Sequence, residues 1–151
     1  SWLFPGGMPI PANKSEVAHQ DDIDVNQILS FTGAWAELDL EPGSEVLVHG
    51  AGPHMHQLGT WSRTSIVHED KSETCLIEVD DWDFNWQGQY GLNQATKMNT
   101  GKELLRLACR WNNSQENQPF IDGKQAKPQD VEWGDGTNDE MCLVGLFITR
   151  P

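Results

Sequence analysis

Two histidines separated by one residue, His54 and His56, are the side chains of this chain best placed to bind a metal ion. They follow the apolar run 46–48 and are predicted to lie at the end of a strand, on the same inner face as Val48. Because alternate residues of a strand share a face, their Cα atoms would be roughly 6–7 Å apart, and both imidazoles could reach one ion. Two exposed histidines on a strand are commoner than a ligand pair, so a metal site needs the support of a third ligand.

Met141 is a candidate for that third ligand, because it stands at the start of an apolar segment that predicts a strand over 141–148. Two imidazoles and one thioether suit copper better than zinc, since the soft sulfur favours Cu(I) and imidazole binds both oxidation states. The alternative is that Met141 only fills the core. Strand alternation predicts that Cys142 points to the face opposite Met141. The other histidines form no motif and are predicted to be surface or internally satisfied residues: His19, His49 and His68.

The pattern of apolar residues predicts an all-β chain. Alternating apolar and acidic residues indicate a half-buried strand over 35–40, and a turn at 41–44 leads into a strand over 45–56. Further strands are predicted at 61–68 and 73–79, which form a hairpin, and at 95–98, 104–111 and 141–148. Short strands at regular spacing, without a helical stripe of about 12 residues, favour an antiparallel β-sandwich of the jelly-roll kind.

The composition is that of one strongly acidic domain. The chain has 151 residues, enough for one core, and 10 basic against 23 acidic residues give a net charge of −13. This charge argues against nucleic acid or an anionic membrane as a partner, and no apolar run reaches the roughly 18–20 residues of a membrane span. We expect a single domain over 1–151, with an irregular lead-in over 1–25 and a surface loop over 112–130, excised from a longer exported protein.

The sequence allows more than one role for its cysteines, its acidic stretches and its tryptophans. Three cysteines allow one disulfide and one free thiol in an exported protein, and Cys75 is predicted to be a buried free thiol. The acidic stretches 80–83 and 135–140 lack the spacing of a calcium loop and are predicted to be solvated. Tryptophans more often anchor cores and loops, but exposed ones could stack on sugars. The candidates for such stacking are Trp61, Trp82, Trp86 and Trp133.

Several longer motifs together resemble the C-terminal domain of the copper type II, ascorbate-dependent monooxygenases, a family that includes peptidylglycine α-hydroxylating monooxygenase and dopamine β-monooxygenase. The resemblance spans roughly residues 45–148. The matching residues are His54-Met55-His56-Gln57-Leu58-Gly59, Trp82-Asp83-Phe84-Asn85-Trp86-Gln87 with Tyr90, Cys109, Asn113-Ser114 with Asn117, and the run from Trp133 to Cys142.

The resemblance implies a site and a fold. Its copper ligands would be His54, His56 and Met141, and a disulfide would join Cys109 to Cys142. The implied fold is a jelly-roll-like β-sandwich, as the strand pattern also predicts. Family members have a second, N-terminal domain whose three-histidine copper supplies an electron, and no part of this sequence resembles that domain.

The expected function is that of a mononuclear copper-binding redox domain, periplasmic or secreted, with O₂ and a small reductant as partners. An external reductant such as ascorbate would take Cu(II) to Cu(I), and O₂ would react at the copper and leave as superoxide or peroxide. One alternative is the catalytic half of a two-domain monooxygenase that hydroxylates a C–H bond. Others are a copper-binding or delivery module without catalysis and a β-sandwich adhesion or sugar-binding module.

Overall fold

A computed structural model of the chain describes residues 7–151, which form two main antiparallel sheets around one core. The strands are β1 Val17–Ile23, β2 Glu45–His54, β3 Gly59–Val67, β4 Glu73–Val79, β5 Tyr90–Asn99, β6 Leu104–Trp111, β7 Phe120–Ile121, β8 Lys124–Gln125 and β9 Leu143–Thr149. One sheet has the order β1-β6-β3-β4, the other has the order β5-β2-β9, and β7 and β8 form a small hairpin. The predicted all-β, antiparallel sandwich is confirmed.

The core lies between the two main sheets and follows the alternation of their strands. From β6, the buried side chains are those of Leu105, Leu107, Cys109 and Trp111. Across the core, Val46 and Val48 of β2 are fully buried. Burying a large apolar side chain of this kind contributes about 1.5–3 kcal/mol, so the alternating pattern fixes which face of each strand turns inward.

The part of the chain that the structure describes has two short α-helices, and the second stands where the sequence predicted a strand over 35–40, so that prediction is wrong. They are α1 Val25–Thr32 and α2 Ala34–Leu38. The side chain of Asp24 accepts a hydrogen bond from the backbone N–H of Gln27 at 3.1 Å and caps α1. Gly33, with φ of 77°, ends α1 and begins α2. No helix within residues 7–151 has the length and apolarity that a membrane span requires.

The alternation over 35–40 is equally compatible with a single helical turn. Trp35 is buried, and Leu38 packs against the core from one turn further along α2. Residues three apart share a helix face but lie on opposite faces of a strand, so Trp35 and Leu38 can be buried together only in the helix.

Two segments predicted to be irregular contain strands. The predicted lead-in over 1–25 is wrong for β1, which pairs with β6 along its whole length, while residues 1–6 lie outside the described part. The predicted surface loop over 112–130 contains a 3₁₀ turn at Gln115–Asn117 and the β7–β8 hairpin. Its first residues are anchored, because buried Asn113 donates to the backbone oxygens of Ile10 and Gln129.

The remaining strands occur where they were predicted, with shifted ends. The hairpin of β3 and β4 and the bounds of β6 agree closely with the prediction. The strand predicted at 95–98 is longer, because β5 begins at Tyr90. The strand predicted over 45–56 ends at His54, and the one predicted from Met141 begins at Leu143. Both shortened ends lie at the predicted metal ligands.

Candidate metal centre

A bulge in β2 decides which way the first histidine faces. The strand register shifts between Val48 and Gly50 against both neighbouring strands. Val48 faces the core, and beyond the bulge Ala51 and Pro53 are also buried, which leaves His54 on the outer face. The prediction that His54 shares the inner face with Val48 is therefore wrong, because one extra residue shifts the alternation by one position.

The rings of His54 and His56 lie side by side beyond the end of this bulged strand. Their centroids are 5.2 Å apart and their planes are inclined at 81°. His54 Nδ1 is 2.6 Å from Oε1 of Gln87, and His56 Nδ1 is 2.8 Å from the backbone oxygen of Asp139. A metal–nitrogen bond is about 2 Å long, so rings at this separation can share one ion.

These hydrogen bonds fix the tautomer of both imidazoles. The carbonyl oxygen of Asp139 can only accept, so Nδ1 of His56 carries the proton. The amide nitrogen of Gln87 donates to the backbone oxygen of Phe84 at 2.9 Å, which turns the amide oxygen toward His54. Nδ1 of His54 therefore donates as well. Within the described part of the chain, neither Nε2 atom has a hydrogen-bond partner.

This donor set fits a metal ion. Metal-binding histidines usually coordinate through one ring nitrogen and donate the other N–H to a carbonyl or carboxylate oxygen. Both imidazoles are arranged in this way, with the Nε2 lone pairs available on adjacent rings. Residues 7–151 contain no group of three or more His, Cys, Asp or Glu that could hold a metal, and two histidines with a methionine are not a group of that kind.

The backbone brings Met141 next to both histidines. The preceding residue, Glu140, accepts a hydrogen bond from the backbone N–H of His56 at 2.9 Å. Two residues beyond Met141, Leu143 pairs with His54 across β2 and β9. Met141 itself is 9% exposed. The three predicted ligands thus come from one corner of the fold, where the end of β2 meets the start of β9.

Glu140 is a residue of this corner whose role the sequence did not reveal. Its side chain is buried, although the stretch 135–140 was predicted to be solvated. One carboxylate oxygen accepts from the backbone N–H of Leu58 at 2.7 Å. The other accepts from the backbone of His56 and from the indole N–H of Trp111, both at 2.9 Å. The only available signal was its position directly before the apolar pair Met141-Cys142.

The environment of Glu140 has two opposing effects on its protonation. Burial raises the pKa of the carboxyl group, while the hydrogen bonds from Leu58, His56 and Trp111 act in the opposite direction. These bonds tie the turn after β2 to β6 and to the segment that carries Met141. Glu140 therefore positions the backbone of the candidate site without facing it.

The disulfide predicted from the resemblance is present. Cys109 of β6 and Cys142 are bonded, with Cα atoms 6.1 Å apart, so the bond links the two sheets directly beside Met141. Cys75 is free, as predicted, but it is exposed rather than buried. On β4 the next residue, Leu76, takes the inward position.

Each of the other three histidines has hydrogen-bond partners of its own, as predicted. His19 Nε2 is 2.8 Å from the backbone oxygen of Pro9, and His49 Nε2 is 2.8 Å from the Thr149 hydroxyl. His68 lies between Glu103 at 2.6 Å and Thr74 at 2.7 Å.

Comparison with protein families agrees with this geometry. The profile described as copper type II ascorbate-dependent monooxygenase, C-terminal domain, matches residues 36–148, and the chain belongs to this family. Membership supports a role related to that of copper monooxygenases, whose parent enzymes use O₂ and an ascorbate-type reductant. None of the curated proteins compared with the chain matches it.

Proposed function

We propose that this chain is a mononuclear copper-binding redox domain whose ligands are Nε2 of His54, Nε2 of His56 and Sδ of Met141. The observation that carries the proposal is the hydrogen bonding of both Nδ1 atoms, which leaves two Nε2 lone pairs available on rings 5.2 Å apart. Neutral imidazole binds both oxidation states of copper, and thioether sulfur favours Cu(I). Family membership supports copper as the metal.

The protein groups around the ligands have separate parts in this proposal. Gln87 and the Asp139 carbonyl hold the protons at Nδ1 and orient the rings. Glu140 fixes the turn that follows His54, and the disulfide fixes the segment that carries Met141. A copper ion held there would carry electrons one at a time from an external reductant such as ascorbate to O₂, giving superoxide, or hydrogen peroxide after two electrons and two protons.

A second candidate is the catalytic half of a two-domain monooxygenase that hydroxylates a C–H bond. The family match favours it, because the matched profile describes the C-terminal domain of such enzymes. For either candidate we propose a periplasmic or secreted location. The Cys109–Cys142 disulfide supports this, since structural disulfides are rare in reducing compartments.

Copper stoichiometry tests the proposal. Metal-free protein is titrated with Cu(II) and desalted, and copper is counted per chain. We expect one copper per chain, none in a His54→Ala variant, and one in the matched control His49→Ala, whose histidine lies on the same strand. Electron paramagnetic resonance should show coupling to two nitrogens. No bound copper, or copper unaffected by His54→Ala, would contradict the proposal.

Oxygen chemistry is then measured on the copper-loaded protein. With ascorbate and O₂, we expect peroxide formation that Met141→Ala abolishes. Tight copper binding without any peroxide would contradict the redox assignment and favour a copper-delivery module.

A further inference from the structure

A groove of about 310 Å³ lies on the outer face of the β5-β2-β9 sheet, next to the histidine pair. Its floor consists of four glycines in neighbouring register positions: Gly50, Gly52, Gly91 and Gly145. Gly50 pairs with Gly91, and Gly52 pairs with Gly145. Because Gly52 precedes His54 by two residues on the same strand, the bare floor continues directly to His54.

The fold accounts for two of these glycines and not for the other two. A Cβ atom at Gly50 would lie 2.7 Å from the backbone oxygen of Tyr90, and one at Gly52 would lie 3.0 Å from Gln89. A Cβ atom at Gly91 would meet nothing within 4 Å, and one at Gly145 would meet only a backbone oxygen at 3.9 Å. Glycine weakens a strand interior, and its use there often marks a place where a ligand approaches the backbone.

Aromatic side chains stand along this bare surface. Phe147 is 66% exposed and Tyr90 is 43% exposed, and both line the groove. No charged residue lines it, although the chain carries 33 acidic and basic residues (23 plus 10). Within residues 7–151, the amide of Gln89 and the hydroxyl of Tyr90 make no side-chain hydrogen bond, so both can bind hydroxyl groups of a ligand.

Trp86 is a further exposed aromatic residue, in a segment that contacts both histidines. It ends the 3₁₀ turn Phe84–Trp86, where the Phe84 ring is 6.1 Å from that of His56. The next residue, Gln87, is bonded to His54. Trp86 is 81% exposed.

The other tryptophans that the sequence offered for sugar stacking are less open. Trp82 is buried, Trp133 is half-buried, and Trp61 is covered by the guanidinium of Arg110 at 4.3 Å. Trp86 is therefore the most exposed ring of this group, and it precedes Gln87, which is bonded to His54.

We propose that this groove and Trp86 bind an uncharged polysaccharide, which would lie across the histidine pair as the substrate of the proposed copper domain. Sugar rings have apolar C–H faces that pack on exposed aromatic rings, and hydroxyl edges that suit groups such as Gln89 and Tyr90. The groove volume has the size of a small ligand pocket, room for roughly one or two sugar rings. The net charge of −13 disfavours acidic polymers.

A polypeptide suits this surface less well. Peptides that bind to sheets usually add a strand to an edge and use unpaired backbone groups. The floor of the groove lies on β2, the central strand, whose backbone groups are paired with β9 and, as far as Ala51, with β5. It therefore offers shape and ring surfaces but few backbone hydrogen bonds.

Binding is tested on metal-free protein in the presence of a chelator, so the result does not depend on the copper site. Microcrystalline cellulose, chitin and starch granules serve as uncharged probes, and polygalacturonate serves as the acidic one. We expect retention on at least one uncharged polymer and none on polygalacturonate. Trp86→Ala and Phe147→Ala should each weaken binding about tenfold. The matched control is Phe120→Ala, whose ring is 71% exposed elsewhere and whose loss should have no effect.

Filling the groove gives a second test in variants that keep their fold. Gly91→Leu and Gly145→Leu have space for the new side chain, so thermal stability should not fall, while polysaccharide binding should be lost. Binding to none of the three uncharged polymers, or binding that survives both substitutions, would overturn the proposal. Retention on gelatin beads that depends on Trp86 would assign the groove to polypeptide, and a dimer that Gly145→Leu dissociates would assign it to a second copy. Absence of polysaccharide binding by the unsubstituted protein, with one copper bound per chain, would refute this proposal and leave the copper proposal standing.

Discussion

The outer faces of the two main sheets differ sharply. On the β1-β6-β3-β4 sheet, Arg106 binds Asp22 through two hydrogen bonds of 2.7 Å and Glu73 through one of 2.6 Å. This face is covered by charged side chains that pair with one another. On the β5-β2-β9 sheet, the face beside the histidines carries glycines and exposed aromatic rings, of which Phe147 packs against His49 with ring centroids 5.5 Å apart. A face whose polar groups pair with one another leaves few groups free to bind a ligand. A face with glycines, exposed rings and free imidazole nitrogens leaves several.

The buried carboxylate of Glu140 supports the segment that carries the histidines, and Glu140→Ala is expected to have the largest effect on stability. Three buried N–H groups would lose their acceptor, at about 1–3 kcal/mol each, so the free energy of unfolding should fall by about 3 kcal/mol or more. Urea unfolding measures this. The control is Glu132→Gln, an exposed glutamate of the same segment. Equal stability of the two variants would show that water replaces the carboxylate.

Loss of the Cys109–Cys142 disulfide should have the second-largest effect on stability. Replacing Cys109 and Cys142 together by Ala removes a cross-link between positions 33 residues apart, which should lower the free energy of unfolding by about 3–4 kcal/mol. Copper should also be lost faster, because the segment with Met141 is no longer held to β6. Cys75→Ala, which removes an exposed free thiol, should change neither quantity. An unchanged copper off-rate in the double variant would mean that the disulfide serves stability alone.

Loss of the hydrogen bond that orients His54 should have a smaller effect, confined to copper binding. Gln87→Leu removes the acceptor at Nδ1 and should weaken copper binding about 10- to 100-fold, because outer hydrogen bonds orient metal-binding imidazoles. Gln87→Glu keeps an acceptor and should restore binding. Gln94→Leu, an exposed glutamine on β5, is the control. Competition titration with a copper chelator measures all three, and failure of the glutamate to rescue would contradict a positioning role.

The ion pairs of the charged face should give the smallest effect on stability, and this effect should fade in acid. Hydrogen bonds from Arg106 lower the pKa of Asp22 below 3.8, and the Ser65 hydroxyl, followed by Arg106, lowers that of Glu73 below 4.5. Their contribution to stability is complete above the ordinary pKa values and is lost as pH falls through the lowered ones. Arg106→Gln should therefore reduce Tm by about 1–4 °C at pH 6 and by less at pH 2.5. Thermal unfolding at the two pH values measures this.

The control for the acid measurement is Arg110→Gln. Arg110 lies over the ring of Trp61, and its replacement should give the same change in Tm at both pH values. An equal loss of Tm at both pH values in Arg106→Gln would show that packing of the guanidinium, and not its pairing with the carboxylates, stabilises the fold.

Local patterns in the sequence predicted what is local in the structure. The alternation of Leu105, Leu107 and Cys109 placed β6 correctly, because one face of that strand is buried along its length. The disulfide and the three candidate ligands were predicted from longer motifs, through the family resemblance. The alternation over 35–40 failed, since six residues cannot separate a strand from a helical turn.

What the sequence could not predict depends on distant partners. The polar strand β1 is held by its pairing with β6, and nothing within its own residues signals that pairing. Glu140 is buried because three donors from two other segments meet it. The bulge after Val48 follows from registers set by two neighbouring strands, so its effect on His54 was invisible in the alternation of β2 alone.

That bulge decides which residues of β2 face outward near the end of the strand. If β2 kept all its residues but alternated without the bulge, His54 would turn inward and Pro53 would come to the surface. No ligand residue would have changed its identity, yet the two imidazoles would no longer meet. How the strand accommodates one extra residue, rather than any property of histidine, decides whether it presents a metal-binding surface or simply another layer of core.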